Sequence, residues 1–238
     1  MTLRTLLCLP IVCLCGWLCA QSAPADTLPP AELTAGDLNY LLGASRPAKA
    51  DRYEGVRGTP YRYKNFGPAV LFDTALNPYA LDSANYNGFS SQFEFYHEGQ
   101  LREANGNVFV RGQINNDAGE EHLYVYGINL KFRDRYAEVV YLGEFVTGTV
   151  IYDVKNDEKI VESVGETIKL RRFSPKTLNY AMVDGDFVTI KTAAKPLAES
   201  LGFKSELTKF IKANKLKGNR PEDLIKIYAE TDRLLAEQ

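Results

Sequence analysis

The sequence predicts an α+β fold: a mostly antiparallel β-sheet, as a sandwich or a partly open barrel, followed by a C-terminal segment of about three short helices. Two periodicities carry that reading. From Tyr53 to Lys191 apolar residues recur at every second position between turn signals, and beyond Thr192 the period becomes that of amphipathic helices. A third observation concerns what precedes the fold. All four cysteines, Cys8, Cys13, Cys15 and Cys19, lie within an N-terminal export signal, so the mature chain is expected to contain none.

Residues 1–22 read as that signal: Arg4 precedes the apolar run Leu6 to Leu18, and Ala20, Gln21, Ser22 and Ala23 supply the small and polar exit. Cleavage falls after Ala20 or Ser22. Pro10 and Gly16 interrupt a run already short for spanning a bilayer, so no transmembrane segment is expected in the mature chain. Leu18 before Cys19 and Leu14 before Cys15 disfavour a lipoprotein signal, which makes a lipid-anchored form the minority alternative. The sole Trp, Trp17, leaves with the signal. An exported chain without disulfides suits the periplasm or exterior of a bacterium, and no Asn-x-Ser/Thr acceptor contradicts that.

Residues 23–52 follow as a flexible linker, rich in Ala and Pro to about Pro30, and a short helix or turn over Leu33 to Leu42 ending at Gly43. Arg46 to Arg52 is polar and expected to be exposed. The β-rich domain then spans 53–191. Its clearest strand signal is Tyr124, Tyr126, Ile128, Leu130 and Phe132, apolar at alternate positions and expected to point into one core. Val108, Val110 and Ile114 alternate with Arg111 and Gln113, Phe93 and Phe95 flank Glu94, and Ile168 and Leu170 alternate with Lys169 and Arg171. Such half-solvated strands belong to antiparallel sheets.

Turns are signalled at Glu98-Gly99, Asn105-Gly106, Asp117-Ala118-Gly119, Lys155-Asn156-Asp157 and Asp184-Gly185. The last has the chemistry of a two-residue type I′ hairpin. Roughly eight to ten strands, joined as hairpins and meanders, are expected. In the helical segment 192–238 the helices fall at about 193–201, with Pro196 near its start and Gly202 past its end, 205–214, with the stripe Leu207, Phe210 and Ile211, and 221–236, where Leu224, Ile227, Tyr228, Thr231 and Leu235 share a face. Asn219 and Glu222 have the spacing of a capping box.

The segment Tyr53-Glu-Gly-Val-Arg-Gly-Thr-Pro-Tyr61, the later Tyr86-Asn87-Gly88, and the tail Lys209-Phe-Ile-Lys-Ala-Asn-Lys-Leu216 with Asp223-Leu-Ile-Lys-Ile-Tyr228 resemble a group of uncharacterised secreted β-rich proteins common in Bacteroidota. The resemblance implies an organism class and an envelope location. It implies no activity and no catalytic residues.

The residues exclude several chemistries. Lys and Arg total 28 against 30 Asp and Glu, a net charge of −2 that argues against a nucleic-acid partner. There is no G-x-S-x-G elbow; the nearest string is Gly88-Phe-Ser90-Ser-Gln92. No P-loop or dinucleotide fingerprint occurs. His97 and His122 each sit beside an acid, and the expectation is of polar residues at strand ends, with no metal and no cofactor. Asp153-Val-Lys-Asn-Asp157-Glu158 and Asn115-Asn-Asp117 offer oxygen ligands without EF-hand spacing. The 14 Tyr and 12 Phe are expected mainly in the core.

Six basic side chains against the single acid Glu206 give Phe203 to Arg220 a net charge of +5. Within it Lys209, Lys212, Lys215 and Lys217 are the candidate surface for an anionic partner, against the plainer reading of a solvated helix face. The leading functional expectation is an exported, non-enzymatic binding or structural module of the bacterial envelope, with another envelope protein as its candidate partner. The alternatives are a carrier of a small apolar ligand in a β-lined cavity and a carboxylate-dependent hydrolase acting on glycans.

Overall fold

A computed structural model describes residues 33–49, 51–163 and 166–238. The export signal and most of the linker after it lie outside the described residues, as do the side chains of 161–168, Ile168 among them.

The chain opens with helix α1 (Ala35–Gly43), started by a capping box between Thr34 and Asp37. Strands β1 (Ser45–Pro47) and β2 (Val56–Arg57) are short. The sheet proper runs through β3 (Gly67–Asp73), β4 (Pro78–Asn87), β5 (Gln92–His97), β6 (Gln100–Ala104), β7 (Phe109–Asn115), β8 (Glu121–Tyr126) and β9 (Tyr136–Leu142). Then come β10 (Val146–Ser163), β11 (Glu166–Val183) and β12 (Asp186–Thr189), followed by α2 (Ala194–Ser200), α3 (Lys204–Ala213) and α4 (Pro221–Ala236). The three C-terminal helices lie within a residue or two of their expected bounds.

All twelve strands described belong to one open sheet, ordered β1-β6-β5-β4-β3-β7-β8-β9-β10-β11-β12, with β2 beside β11. Every pairing is antiparallel except β2 with β11. The strand count exceeds the expected eight to ten because β1 comes from the stretch read as linker and turn, and the two residues of β2 are too few to show a period.

The sheet is strongly coiled. Phe93 on β5 and Tyr136 on β9 are five strand steps apart, about 24 Å if the sheet were flat, yet their ring centroids lie 4.9 Å apart. The Val154 amide donates to the Gly88 carbonyl at 3.2 Å, bringing β10 against the β4–β5 turn. A Cβ on Gly88 would stand 2.5 Å from the Tyr152 ring, so only glycine allows this approach. Tyr86, Phe93, Phe109, Tyr124 and Tyr136 fill the centre of the curl. A second core joins the far end of the sheet to the helices through Val146, Ala181, Leu197, Leu207, Leu224 and Tyr228. Phe132, Ala137, Ile151 and Tyr180 form a third, smaller cluster on the opposite face of β10.

Several expectations need correction. The pattern from Tyr124 to Phe132 is not one strand: β8 ends at Tyr126, Gly127 takes φ +68, and Leu130–Phe132 is a 3₁₀ turn capped by the Asn129 side chain. Tyr124 enters the first core, Ile128 and Phe132 the third, and Leu130 is 93% exposed. The burial on β7 falls on Phe109 and Ile114 with Val110 half-buried, because the ladder with β3 is bulged. Lys155-Asn156-Asp157 is no turn but lies inside β10. β10 and β11 have 18 residues each and pair along their whole length as a ribbon. The Asn219–Glu222 box does not form; Arg220 occupies the N-cap without a side-chain bond, and the Asp223 carboxylate accepts from the Lys217 amide at 3.0 Å. The Asp184-Gly185 hairpin forms as expected, both residues at positive φ.

Candidate functional site

The four candidate lysines come together. Leu207 and Ile211 bury one side of α3, which turns Lys209 and Lys212 to the opposite side. Lys215, at φ +54, reverses the chain after α3, and Lys217 follows in the connection to α4. All four are exposed, as is Arg220, and among the described residues none of the five forms an ion pair. Lys204, by contrast, pairs with Glu199 at 2.7 Å.

A second constellation was not expected from the sequence. Glu94 and Glu103 stand directly opposite each other on β5 and β6, and both are buried. The run from Arg46 to Arg52, expected to be exposed polar chain, supplies their counter-charges. Arg46 pairs with Glu103, and Arg52 reaches both Glu94 and, at 3.3 Å, Glu103. Glu94 also accepts from the Tyr61 hydroxyl at 2.8 Å, from the Asn87 amide and from Ser90 Oγ at 3.4 Å. Burial pushes the Glu94 carboxyl above its ordinary value, against the pull of Arg52 and these donors. Arg52 stacks on the Tyr53 ring at 4.7 Å, and its Nε finds no acceptor among the described residues.

Glu138 on β9 repeats the arrangement. It is 4% exposed, accepts from His122 Nδ1 at 2.7 Å and pairs with Arg62 at 3.3 Å. Burial opposes its ionisation, but the His122 hydrogen bond and the Arg62 charge outweigh it and hold the carboxyl below its ordinary value. The stretch from Arg52 to Arg62 thus carries a guanidinium to each of the three buried glutamates as it crosses the sheet. The sequence signal was an acid between aromatics, Phe93-Glu94-Phe95, which alternation assigns to the solvent side. What it could not show is that this side is covered.

His97 ends β5, and among the described residues His122 is the only histidine that enters an acid pair. Among the described residues no group of three or more His, Cys, Asp and Glu converges. Asp153 pairs with Arg135, and Asp117 accepts from the Lys64 and Asn65 amides. Ser90, of the string nearest a nucleophile elbow, faces Glu94 and no histidine.

Beside the Glu94–Glu103 pair lies a half-open cavity of about 390 Å³, walled by the end of α1, β1, the β4–β5 turn and β6. A smaller apolar depression of about 220 Å³ lies on the outer sheet face between Val125, Val139, Thr149, Met182 and Phe187. Thr149 Oγ1 is buried there without a hydrogen-bond partner among the described residues. Among the described residues no helix is long and apolar enough to cross a membrane. No protein family, curated protein or solved structure matches this chain.

Proposed function

We propose that this chain is an exported, non-enzymatic module of the bacterial envelope that docks onto an anionic lipid surface through the basic face of α3 and the α3–α4 connection. The observation that carries it is the set Lys209, Lys212, Lys215, Lys217 and Arg220, exposed together without acid partners among the described residues. Four of the five are lysines. A flexible ammonium is a point charge that suits a diffuse layer of phosphates, whereas shape-specific carboxylate recognition favours the arginine fork. Each such cation near an anionic surface contributes about 1 kcal/mol, so five give a reversible, salt-sensitive attachment. Export is supported by the Leu6 to Leu18 run behind Arg4. The non-enzymatic part of the proposal is supported by the three buried glutamates, each already paired with a guanidinium.

The test is co-sedimentation of residues 23–238 with phosphatidylcholine vesicles, with and without about one-third phosphatidylglycerol, at low and high salt. Binding should require the anionic lipid, fall steeply with salt and vanish when Lys209, Lys212, Lys215 and Lys217 are changed to Glu. Binding to zwitterionic vesicles alike, or none to either, would overturn the proposal.

One observation favours the hydrolase reading as a second choice: Glu94, with its raised pKa, lies opposite Glu103 beside a cavity. It requires release of reducing ends from a polysaccharide by the wild type and its loss in a folded Glu94→Gln variant. The carrier reading has less support, since aromatic rings occupy the centre of the coiled sheet.

A further inference from the structure

We infer that the cavity between the end of α1 and strand β6 is a binding site for a neutral, hydroxyl-rich ligand, one or two saccharide units in size. Its volume, about 390 Å³, lies within the range of small-molecule sites. The wall carries one full charge of each sign, Arg46 and Glu103, already paired with each other. Because Arg46 and Glu103 neutralise each other and Glu103 is also held by Arg52, neither a cationic nor an anionic ligand finds an unpaired counter-charge on the wall. Both are disfavoured relative to a neutral ligand.

The remaining lining groups are fixed hydrogen-bonding partners. Gln92 Oε1 accepts from the Gly106 amide at 3.0 Å, and Asn105 Oδ1 accepts from the Asn107 amide at 3.0 Å. In each case the main chain holds the oxygen, which leaves the side-chain NH₂ group oriented and without an acceptor among the described residues. Ser90 Oγ donates to Glu94 and keeps its lone pairs. The wall therefore offers two amide donors and a hydroxyl acceptor at set positions. Vicinal hydroxyls, each donor and acceptor at once, match that set, and pre-orientation lowers the cost of forming the bonds.

This inference does not depend on lipid docking. Gly43 supplies the blocking variant, because a Cβ there meets nothing within 4 Å and its φ is not positive. Gly43→Phe should fill the cavity and leave folding intact, which its thermal melt checks. The probes are glucose, galactose, N-acetylglucosamine, maltose and trehalose, with glucuronate and glucosamine as charged counterparts, followed through the side-chain amide resonances of Gln92 and Asn105. At least one neutral saccharide should shift both resonances with Kd at or below about 10 mM, weakened at least about tenfold by Gly43→Phe and by the isosteric Asn105→Asp. No shift with any neutral probe, tighter binding of a charged counterpart, or shifts unchanged in a folded Gly43→Phe would each overturn the assignment.

Discussion

Leu130 and Ile151 illustrate how far alternation reaches at the level of single residues. Both sit in apolar patterns, but Leu130 is 93% exposed and Ile151 is 0% exposed. Leu130→Ala should change stability by less than about 0.5 kcal/mol, whereas Ile151→Ala should cost about 2–5 kcal/mol in equilibrium denaturation. The sequence marks Gly127 and Asn129 as turn-prone residues, and they are what ends the strand. Alternation alone passes over them, since it counts apolar side chains and ignores the backbone that carries them. Glu138 gives a pH-dependent case. Its pKa is depressed in the folded chain, so its contribution is complete above the unfolded value of about 4.3 and is lost as pH falls through the folded value. Glu138→Gln leaves Arg62 facing a neutral amide, at a cost of about 3 kcal/mol near neutrality. That deficit, followed by denaturant titration at stepped pH, should shrink below about pH 4.

Among the elements, the three helices and the Asp184-Gly185 hairpin were legible because their signals are local: Pro196, Gly202, an i, i+3, i+4 stripe, a two-residue turn. The β10–β11 ribbon was not. Lys155-Asn156-Asp157 has turn composition, and only the pairing of Asp157 with Arg172 and Glu158 with Arg171 across the ribbon makes it strand. From Lys155 to Ile160 every residue of β10 is exposed, and β9 leaves β10 after Val150. A two-stranded ribbon without a flanking sheet is marginal by itself. Replacing residues 159–170 by Asn-Gly, which joins the paired Glu158 and Arg171 through a type I′ turn, should therefore alter stability by less than about 1 kcal/mol. Thermal unfolding of the trimmed chain measures this. A loss of several kcal/mol would mean that the ribbon is part of the cooperative core.

For the whole molecule, the question is how the helices are held to the sheet. Tyr228 of α4 packs over Gly148 of β10, and Asp232 reaches the β9–β10 turn, where its carboxylate accepts from the Phe145 amide at 2.7 Å and the Val146 amide at 2.9 Å. Asp232→Ala orphans those amides and should cost about 1–3 kcal/mol. Because the second core is shared by sheet and helices, the loss should appear as one shifted transition by near-ultraviolet and far-ultraviolet dichroism alike, not as early melting of the helices. The α+β class was readable from the switch of periodicity near Thr192. The coiling of the sheet was not, because it depends on contacts such as Gly88 with Tyr152 between residues far apart in the chain.

The lone parallel pairing has a kinetic meaning. The antiparallel pairs of the C-terminal half join strands that follow one another, so each can form by zipping outward from its own turn. β2 meets β11 only after Val56 and Arg171 have closed a loop of more than a hundred residues, for two residues of ladder. That closure entropy is returned by few bonds. The two residues of β2 are therefore expected to join the sheet late, after the main chain of Pro60 and Arg62 has bonded to Gly88 and Tyr86 at the nearby end of β4.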